Sequence, residues 1–582
     1  MTDKRIIPTP APSDLSTIKI LTNGQEITGE YHVVSVVVTK EINRIPHARL
    51  VLLDGDAASE DFAISNAEAF EPGKEIEILA GYHSDEETIF KGIVTRHAIK
   101  ARHKKSSVLE IECRDLASKM AITRKNGYYT DVTDAEIIVE IIEEFGLEAD
   151  VEETETQHKE MVKFNAMDWD FVLARARANG LLVITDDGKI SVKAPDAEQE
   201  PILNLVYGST LMAFEAEMDA RSQFSQINTQ AWDYAGQEMI EEKSDPPSLP
   251  DQGNLDADAL AKVMAISTFP MRHGGKRTDA ELKTLADACL LQSRLSKIIG
   301  RLKCQGFAGV KPGHLVSLNG VGDRFNGTAF ITAVRQVVHT DNWETDLQFG
   351  LSPEWFTPRR DIAEPPAAGL VPGVNGLQIG VVTQLSEDPD GEDRVMVRMP
   401  MVDPEAEGIW CRVASLDAGE NRGAFFRPEI NDEVVLGFIN DDPRDPVILG
   451  MLNSSAKPAP ITASDDNHEK GFVTREGLKF IFNDEKRSIT CETPNGNMMV
   501  LSDDEGTIVM ADETGNKIKM SADGILMESA VDITIKATGD INLQGLNLKL
   551  AADAEFKAEG AAGAEVSTGA VAILKGSLVK IN

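Results

Sequence analysis

Apolar side chains recur in pairs, with one residue between the two members, along the C-terminal part of this 582-residue chain. The residue between them is polar in most pairs, and this alternation indicates short strands. From Ile518 the first members step by 7, 8, 8, 7 and 6 residues, with Gly, Asn or Asp at the corners, where positive φ is tolerated. The pairs are Ile508/Met510, Ile518/Met520, Ile525/Met527, Ile533/Ile535, Ile541/Leu543, Leu548/Leu550 and Ala554/Phe556.

A near-fixed repeat of this kind is typical of stacked arrays, in which one unit cannot bury its own apolar face. Neighbouring units must cover that face. A single chain that winds alone into a solenoid and several copies that wrap around one another both satisfy the pattern, and the spacing does not separate them. An ordinary meander is the less favoured alternative, because seven consecutive near-regular pairs rarely arise in one.

The charge and cysteine content exclude several classes of function. The chain has 58 Lys and Arg against 95 Asp and Glu, a net charge of -37, so nucleic acid is not an expected partner. The five cysteines lack any C-x-x-C spacing, which favours reduced thiols and synthesis in a cytosol. The N-terminus has no apolar segment typical of a signal peptide, and no apolar run approaches the ~18 residues of a membrane span.

The first 235 residues are predicted to form a β-rich domain, residues 1–120, and a helical insert, residues 121–235. In the insert, Thr133 and Glu136 form a capping box, and apolar residues at helical spacing follow up to Gly146. A second helix is predicted from about Asp168 to Asn179, ending before Gly180.

Residues 236–362 are predicted to contain a long loop at 236–280, a helix at 279–298 and a second β-barrel. The strands after Pro312-Gly313 repeat the order seen after Pro72-Gly73, namely turn, alternating strand, turn and second strand. Two similar β-barrels in each chain are the resulting expectation.

The C-terminal half is predicted to contain four parts. A Pro/Gly-rich linker at 363–376 leads to a five-strand OB-type barrel at 377–453, a connector at 454–470 and the repeat region at 471–582. The residues predicted to form the OB core are Val395, Val397, Trp410, Phe426, Val434, Leu436 and Phe438.

Several sequence blocks resemble the VgrG-type spike proteins of type VI secretion and related contractile injection systems, including phage tail spikes. In the OB region these blocks are RVMVRMP at 394–400, WCRVA at 410–414, FRP at 426–428, NDEVVLGF at 431–438 and the segment 442–450. Upstream, Ile42-Asn43, DWDF at 168–171 and GVGDRFNG at 320–327 are similar to the hub of that family, and residues 471–484 and 575–582 are similar to its needle.

The resemblance implies a mainly β, homotrimeric protein with two hub barrels and helical inserts, an OB-fold and a C-terminal intertwined trimeric β-helix needle. The partners that it implies are tube and baseplate proteins, a PAAR-type tip protein and effector cargo. It also implies that the protein is assembled in the cytoplasm and leaves the cell in a secreted or extracellular particle, which strikes a target envelope. Tip docking is expected near Gly576, Val579, Ile581 and Asn582. The expected core of the trimeric needle is Ile518, Met520, Ile525, Met527, Ile533, Ile535, Ile541, Leu543, Leu548, Leu550 and Phe556.

No residue pattern points to catalysis. No carboxylate pair stands in an apolar pocket pattern, His468-Glu469 lacks the second histidine of an H-E-x-x-H zinc motif, and neither a cofactor nor a metal is predicted. The prediction is a non-enzymatic spike. The alternatives are a spike enzyme that degrades the envelope and a tail fibre that binds glycans.

Overall fold

The computed structural model describes residues 16–27, 31–102, 105–250, 252–266, 268–275, 277–339, 342–354, 362 and 365–581. These residues fall into two compact units. The first contains the described residues up to Gly376 together with Phe438–Asp445, and the second contains Leu377–Gly437 and the described residues from Pro446 onward.

The first unit is built on a thirteen-stranded sheet. Eleven of its strands follow the order β14-β18-β21-β20-β3-β4-β7-β6-β5-β1-β2; β19 pairs with β20, and β13 pairs with β19. The strands of this unit are β1 Ser16–Thr22, β2 Gln25–Glu26, β3 Val33–Glu41, β4 His47–Leu53, β5 Glu75–Tyr82, β6 Asp85–Arg102, β7 Lys105–Arg114, β8 Arg124–Thr133, β9 Glu148–Val151, β10 Gln157–Met167, β11 Leu182–Asp186, β12 Lys189–Lys193, β13 Leu203–Val206, β14 Leu211–Met218, β15 Gln226–Asp233, β16 Glu238–Lys243, β17 Thr268–His273, β18 Ile298–Gln305, β19 Leu315–Asn319, β20 Gly327–His339 and β21 Asn342–Phe349.

The strands of the two predicted hub barrels share this sheet but enclose two different cores. One core is formed mainly by β1 and β3–β7, with Phe70 and Phe90 fully buried. The other is formed by β13, β14 and β18–β21, with Phe349 fully buried. The two Pro-Gly turns form matching hydrogen bonds. The Gly73 amide donates to the Val94 carbonyl and the Gly313 amide donates to the Ile331 carbonyl, both at 2.8 Å.

Four α-helices are present among the described residues: α1 Asp134–Glu144, α2 Asp168–Ala178, α3 Ala257–Val263 and α4 Asp279–Leu295. The Thr133 capping box of α1 is formed as predicted, and its four isoleucines are buried. The prediction for α2 is also confirmed, since Trp169, Leu173 and Ala176 lie in the core that these helices share with β11 and β12. None of these helices has both the length and the apolar character needed to cross a bilayer.

The loop predicted for 236–280 is wrong for much of its length. Strands β16 and β17 lie on either side of β15, and α3 stands between them in the chain. This small sheet packs against α4, where Ile227 and Leu290 are buried together. The polar outer face of the sheet and Pro270 in β17 hid the strand alternation from the sequence.

The predicted OB module is a closed five-strand barrel with the order β22-β23-β24-β28-β27. Its main strands pair antiparallel, except that β24 and β28 run parallel. A separate small hairpin is formed by β25 and β26. The strands are β22 Gln378–Gln384, β23 Val395–Arg398, β24 Ile409–Val413, β25 Ala418–Gly419, β26 Arg422–Gly423, β27 Glu433–Phe438 and β28 Pro446–Met451.

The residues from Glu469 to Glu528 form a seven-stranded antiparallel sheet in which each strand pairs with the next. The meander, the less favoured alternative, is therefore correct for the first three apolar pairs, because tight turns bring consecutive strands together. The strands are β29 Glu469–Val473, β30 Lys479–Asn483, β31 Ser488–Glu492, β32 Met498–Ser502, β33 Thr507–Ala511, β34 Lys517–Ser521 and β35 Gly524–Glu528. No strand is assigned from Ser529 to Ile581.

Candidate assembly surface

One face of the seven-stranded sheet consists of apolar side chains alone, apart from Lys470 at its first strand. The register places them in two columns, which we call the apolar columns, and in each column every residue is the cross-strand partner of the next. The first column is Phe472, Phe480, Cys491, Met499, Met510, Ile518 and Met527, and the second is Phe482, Ile489, Leu501, Ile508, Met520 and Ile525.

The opposite face of the sheet is mixed. Its central column contains Thr490 and Lys519 beside valines, and its outer columns include Lys479, Glu492 and Lys517. The two faces therefore differ in the way expected of a sheet with one face against a partner and one in water. Within its own chain the apolar face is open, since Phe472 and Met510 are about half exposed, at 46% and 51%.

The corners of the sheet repeat every 19 residues, a period that the sequence reading missed. Thr474, Thr493 and Asp512 occupy the first position of three equivalent five-residue turns. In each turn the amide of the first residue donates to the carbonyl of the fifth at 2.9–3.0 Å. The fourth residue is Gly with positive φ, as at Gly496 and Gly515, where a side chain would be strained. Comparing the sequence with itself at this spacing would have revealed the repeat.

After Glu528 the chain continues as segments without regular secondary structure, separated by bends. The bends fall at 530–531, 538–539, 546, 553–554, 561–562, 569–570 and 577–578, a spacing of seven to eight residues. The predicted needle-core side chains in this stretch are exposed, Ile535 at 66% and Leu543 at 64%. The bends keep this spacing beyond Phe556, which ends the seven near-regular pairs of the sequence, and the described residues leave these side chains exposed. We call residues 529–581 the winding segment, after the path proposed for them below.

The predicted tip residues lie at the end of this stretch. Gly576, Val579 and Ile581 are exposed, whereas Asn582 lies outside the described residues. The last bend, at 577–578, separates Gly576 from the other two. The remaining members of the predicted needle core lie in the apolar columns or in the exposed winding: Ile518, Met520, Ile525 and Met527 in the columns, and Ile533, Ile541, Leu548, Leu550 and Phe556 in the winding.

Four residues of the predicted OB core, Val395, Val397, Val434 and Leu436, are fully buried inside the barrel, and Phe438 is half-buried. The assignment of Trp410 is wrong, because it is the cross-strand partner of Met396, and strand alternation places it on the face opposite the buried Val395–Cys411 pair. Phe426 also lies outside the core. Phe426 is 56% exposed and stacks on Phe472, with ring centroids 5.0 Å apart. Its assignment to the core is wrong because it stands in the segment between strands, outside the alternation that directs side chains inward.

A second contact joins the barrel to the seven-stranded sheet. Arg475, in the first corner, forms a 2.8 Å ion pair with Glu429. Together with the Phe426–Phe472 stack, it places the first apolar column directly beside the barrel. Exposed ion pairs of this kind contribute little stability, so the aromatic stack is the more important of the two contacts.

Two carboxylates in the turns of this unit accept hydrogen bonds from their own loops. Hydrogen bonds from the Arg394 guanidinium and from backbone amides hold the pKa of Asp388 well below its usual range. In the third corner, the Asn516 side chain, backbone amides and Thr514 lower the pKa of Asp512 to about 2. These carboxylates are therefore fixed as acceptors of local hydrogen bonds at neutral pH.

Buried ionisable groups in the first unit are paired in the same way. Burial alone would raise the pKa of Asp134, but hydrogen bonds from Arg175, Asn179 and His158 lower it. Arg175 binds this carboxylate through two nitrogens, at 2.6 and 2.8 Å. Burial also raises the pKa of Cys113 to about 12, which keeps the thiol protonated. Among the described residues no three His, Cys, Asp or Glu side chains are placed to hold a metal ion.

Two protein families match parts of this chain. The family described as Alg8 N-terminal domain matches residues 12–340, more than half of the chain. The chain belongs to this family. A second family, described as Type VI secretion system/phage-baseplate injector OB domain, matches residues 378–452, which contain the closed barrel. The protein is a VgrG-like spike of the phage-baseplate and type VI secretion class, and the resemblance found in the sequence is confirmed.

Solved structures similar to this spike share little sequence identity with it. The 43 kDa tail protein of prophage MuSo2 from Shewanella oneidensis is 12% identical, with 58% of this chain and 98% of that chain covered and a TM-score of 0.45. The E. coli c3393 protein, a component of the type VI secretion system, is 13% identical, with 75% and 100% covered and a TM-score of 0.35. The Francisella PdpA–VgrG complex matches at 11% identity, with 89% and 80% covered and a TM-score of 0.37. No curated protein matches the spike.

Proposed function

We propose that the protein is the homotrimeric hub and needle of a contractile injection machine. Its hub joins the tube and baseplate to a needle, and the needle is driven through a target envelope with a tip protein or an effector. The work is mechanical, and the spike itself is not an enzyme. Assembly takes place in the cytoplasm, and the spike leaves with the particle.

The observation that carries this proposal is the uncovered apolar surface of the C-terminal region. Two apolar columns run along one face of the seven-stranded sheet, and the winding from Ser529 to Ile581 exposes further apolar side chains at every level. A surface of this extent is unfavourable in water. Sister copies supply what is missing, since three equivalent faces enclose one core and three wound chains pair each other's strands.

The proposed division of the chain follows the sequence prediction, with a hub up to residue 362, a linker at 363–376, an OB barrel at 377–453, a connector at 454–470 and a needle at 471–582. The matching hydrogen bonds of Gly73 and Gly313 support two related barrels in each hub. A trimer then presents six similar barrels, which suits a sixfold tube. A map of the trimer without a pseudo-sixfold ring would contradict this part of the proposal.

The needle end is the proposed docking platform for a tip protein. Gly576 is small and Val579 and Ile581 are apolar, so three copies would bring together a mainly apolar surface, with the polar Asn582 beside it. A PAAR-type cone is the proposed partner at this end. Binding of such a protein to wild type, but not to a chain shortened by residues 576–582, tests this assignment.

The molar mass in solution tests the proposed function. One chain has a mass of 63.3 kDa, so light scattering of the purified protein is expected to give about 190 kDa for three. A chain that ends at residue 468 lacks the apolar columns, and light scattering is expected to give the mass of a monomer for it. A full-length monomer near 63.3 kDa would refute the trimeric needle.

A further inference from the structure

The chain changes its mode of folding at one point, immediately after β35. From β29 to β35 every strand pairs with the next, whereas from the bend at 530–531 to Ile581 no residue belongs to a strand. Ser529, between them, is half-buried, whereas its neighbours on both sides are exposed. Something therefore covers Ser529, and this contact identifies where the chain is held as it leaves the sheet.

The covering group is the side chain of Asn516, the last residue of the third corner. Its Oδ1 accepts a 2.5 Å hydrogen bond from the Ser529 hydroxyl and a 3.3 Å bond from the Ala530 amide. Its Nδ2 donates to Asp512 Oδ2 at 2.6 Å. Since Asp512 Oδ1 also accepts from the Thr514 and Asn516 amides, the Asn516 side chain extends from a fixed base.

The equivalent residue one repeat earlier provides a natural comparison. Asn497 Oδ1 accepts a 3.3 Å bond from the Glu513 amide, the same type of contact. Glu513, however, stands in a corner between two paired strands, so its position is already determined on both sides. At Ala530 only the preceding strand is paired, and the side-chain contact from Asn516 has no substitute in the backbone ladder.

We propose that Asn516 is a positioning residue, which directs the chain out of the seven-stranded sheet and into the winding segment. This inference rests on the proposed trimeric needle for its biological meaning. Three chains must enter the shared winding at the same level, because a shift of one residue would turn every apolar side chain outward. The contacts of Asn516 with Ser529 and Ala530 fix that starting level in each chain.

The test compares Asn516→Ala with the matched control Asn497→Ala in the full-length protein. Hydrogen exchange of the peptide that spans Ser529–Asp532, followed by mass spectrometry, is expected to become roughly threefold to tenfold faster in Asn516→Ala, as for the loss of one hydrogen bond. In Asn497→Ala it should remain at the wild-type rate. Asn516→Asp keeps an acceptor oxygen but replaces the amide that donates to Asp512 with a second carboxylate, so the exchange of this peptide should also become faster near neutral pH.

Limited proteolysis after Glu528 should follow the same order, with faster cleavage in Asn516→Ala alone. Equal exchange rates in the two alanine variants would overturn the inference. Light scattering on the same samples separates the two proposals. A wild-type monomer refutes the trimeric needle, while the exchange comparison still decides the role of Asn516.

Discussion

At the scale of residues, the OB barrel offers two leucines in opposite environments. Leu436 is fully buried between the barrel strands, whereas Leu416 is 91% exposed. Leu436→Ala is expected to destabilise the barrel by about 2–5 kcal/mol, because it removes buried methyl groups and leaves a cavity. Leu416→Ala should change stability by only about 0.5 kcal/mol. Denaturant unfolding followed by hydrogen exchange of the barrel strands measures both, and similar losses would contradict the assigned core.

Asp512 gives the third corner of the seven-stranded sheet a defined response to acid. Its folded pKa of about 2 lies below the usual 3.8, so its hydrogen bonds stabilise the folded corner above pH 4 and are lost as the pH falls towards 2. Asp512→Asn keeps an acceptor oxygen but cannot ionise. The difference in melting temperature between wild type and this variant should therefore be largest near pH 6 and become smaller as the pH falls from about 4 through 2. A constant difference over this range would refute the role of the carboxylate.

At the scale of elements, the sequence was most informative where one pattern alone determines the structure. The capping box and isoleucine spacing specified α1, and five alternating runs specified the OB barrel. The small sheet at 226–273 was missed because its polar outer face and Pro270 weaken the alternation. Phe426 was misassigned because an aromatic residue between strands is positioned by a contact distant in the chain, here with Phe472.

The apolar repeats also show that the sequence predicts strands better than it predicts their partners. The alternation in the sequence predicted short strands, but whether a strand pairs with its own neighbour or with another chain depends on the turn that follows. Up to Glu528 the 19-residue period supplies hairpin turns, so the strands pair within the chain. From Ser529 to Ile581 the chain has bends but no hairpin and no paired strand.

The orientation of side chains in the winding segment can be tested by placing the same charge at two neighbouring positions that are expected to face opposite ways. Leu543 belongs to an apolar pair, and Asn542 is its neighbour on the alternate side. Leu543→Asp would bury three unpaired carboxylates at one level of the trimer, at a cost of roughly several kcal/mol. Asn542→Asp would instead place three carboxylates at the solvent-facing side of the trimer. Gel electrophoresis after heating in detergent should show loss of the trimer in Leu543→Asp only, and a resistant Leu543→Asp trimer would contradict the inward orientation.

At the scale of the whole molecule, the two parts of the needle are expected to contribute differently to resistance against force. In the seven-stranded sheet each chain pairs with itself, so in the proposed trimer copies would associate there through side chains of the apolar columns alone. In the winding segment of that trimer, strands from different chains would pair with one another. Separating them requires many non-local contacts to break together, which makes unfolding slow.

Truncation at Glu528 separates these contributions. The chain 1–528 keeps the apolar columns and should still associate at high concentration, but its trimer should dissociate on dilution and in detergent. The full-length trimer should survive both treatments, and a chain ending at 468 should be monomeric under all conditions. Light scattering across a dilution series, with detergent gels in parallel, measures the three. If 1–528 resists detergent as well as the full chain, the interlaced strands beyond Ser529 are not the source of the needle's rigidity.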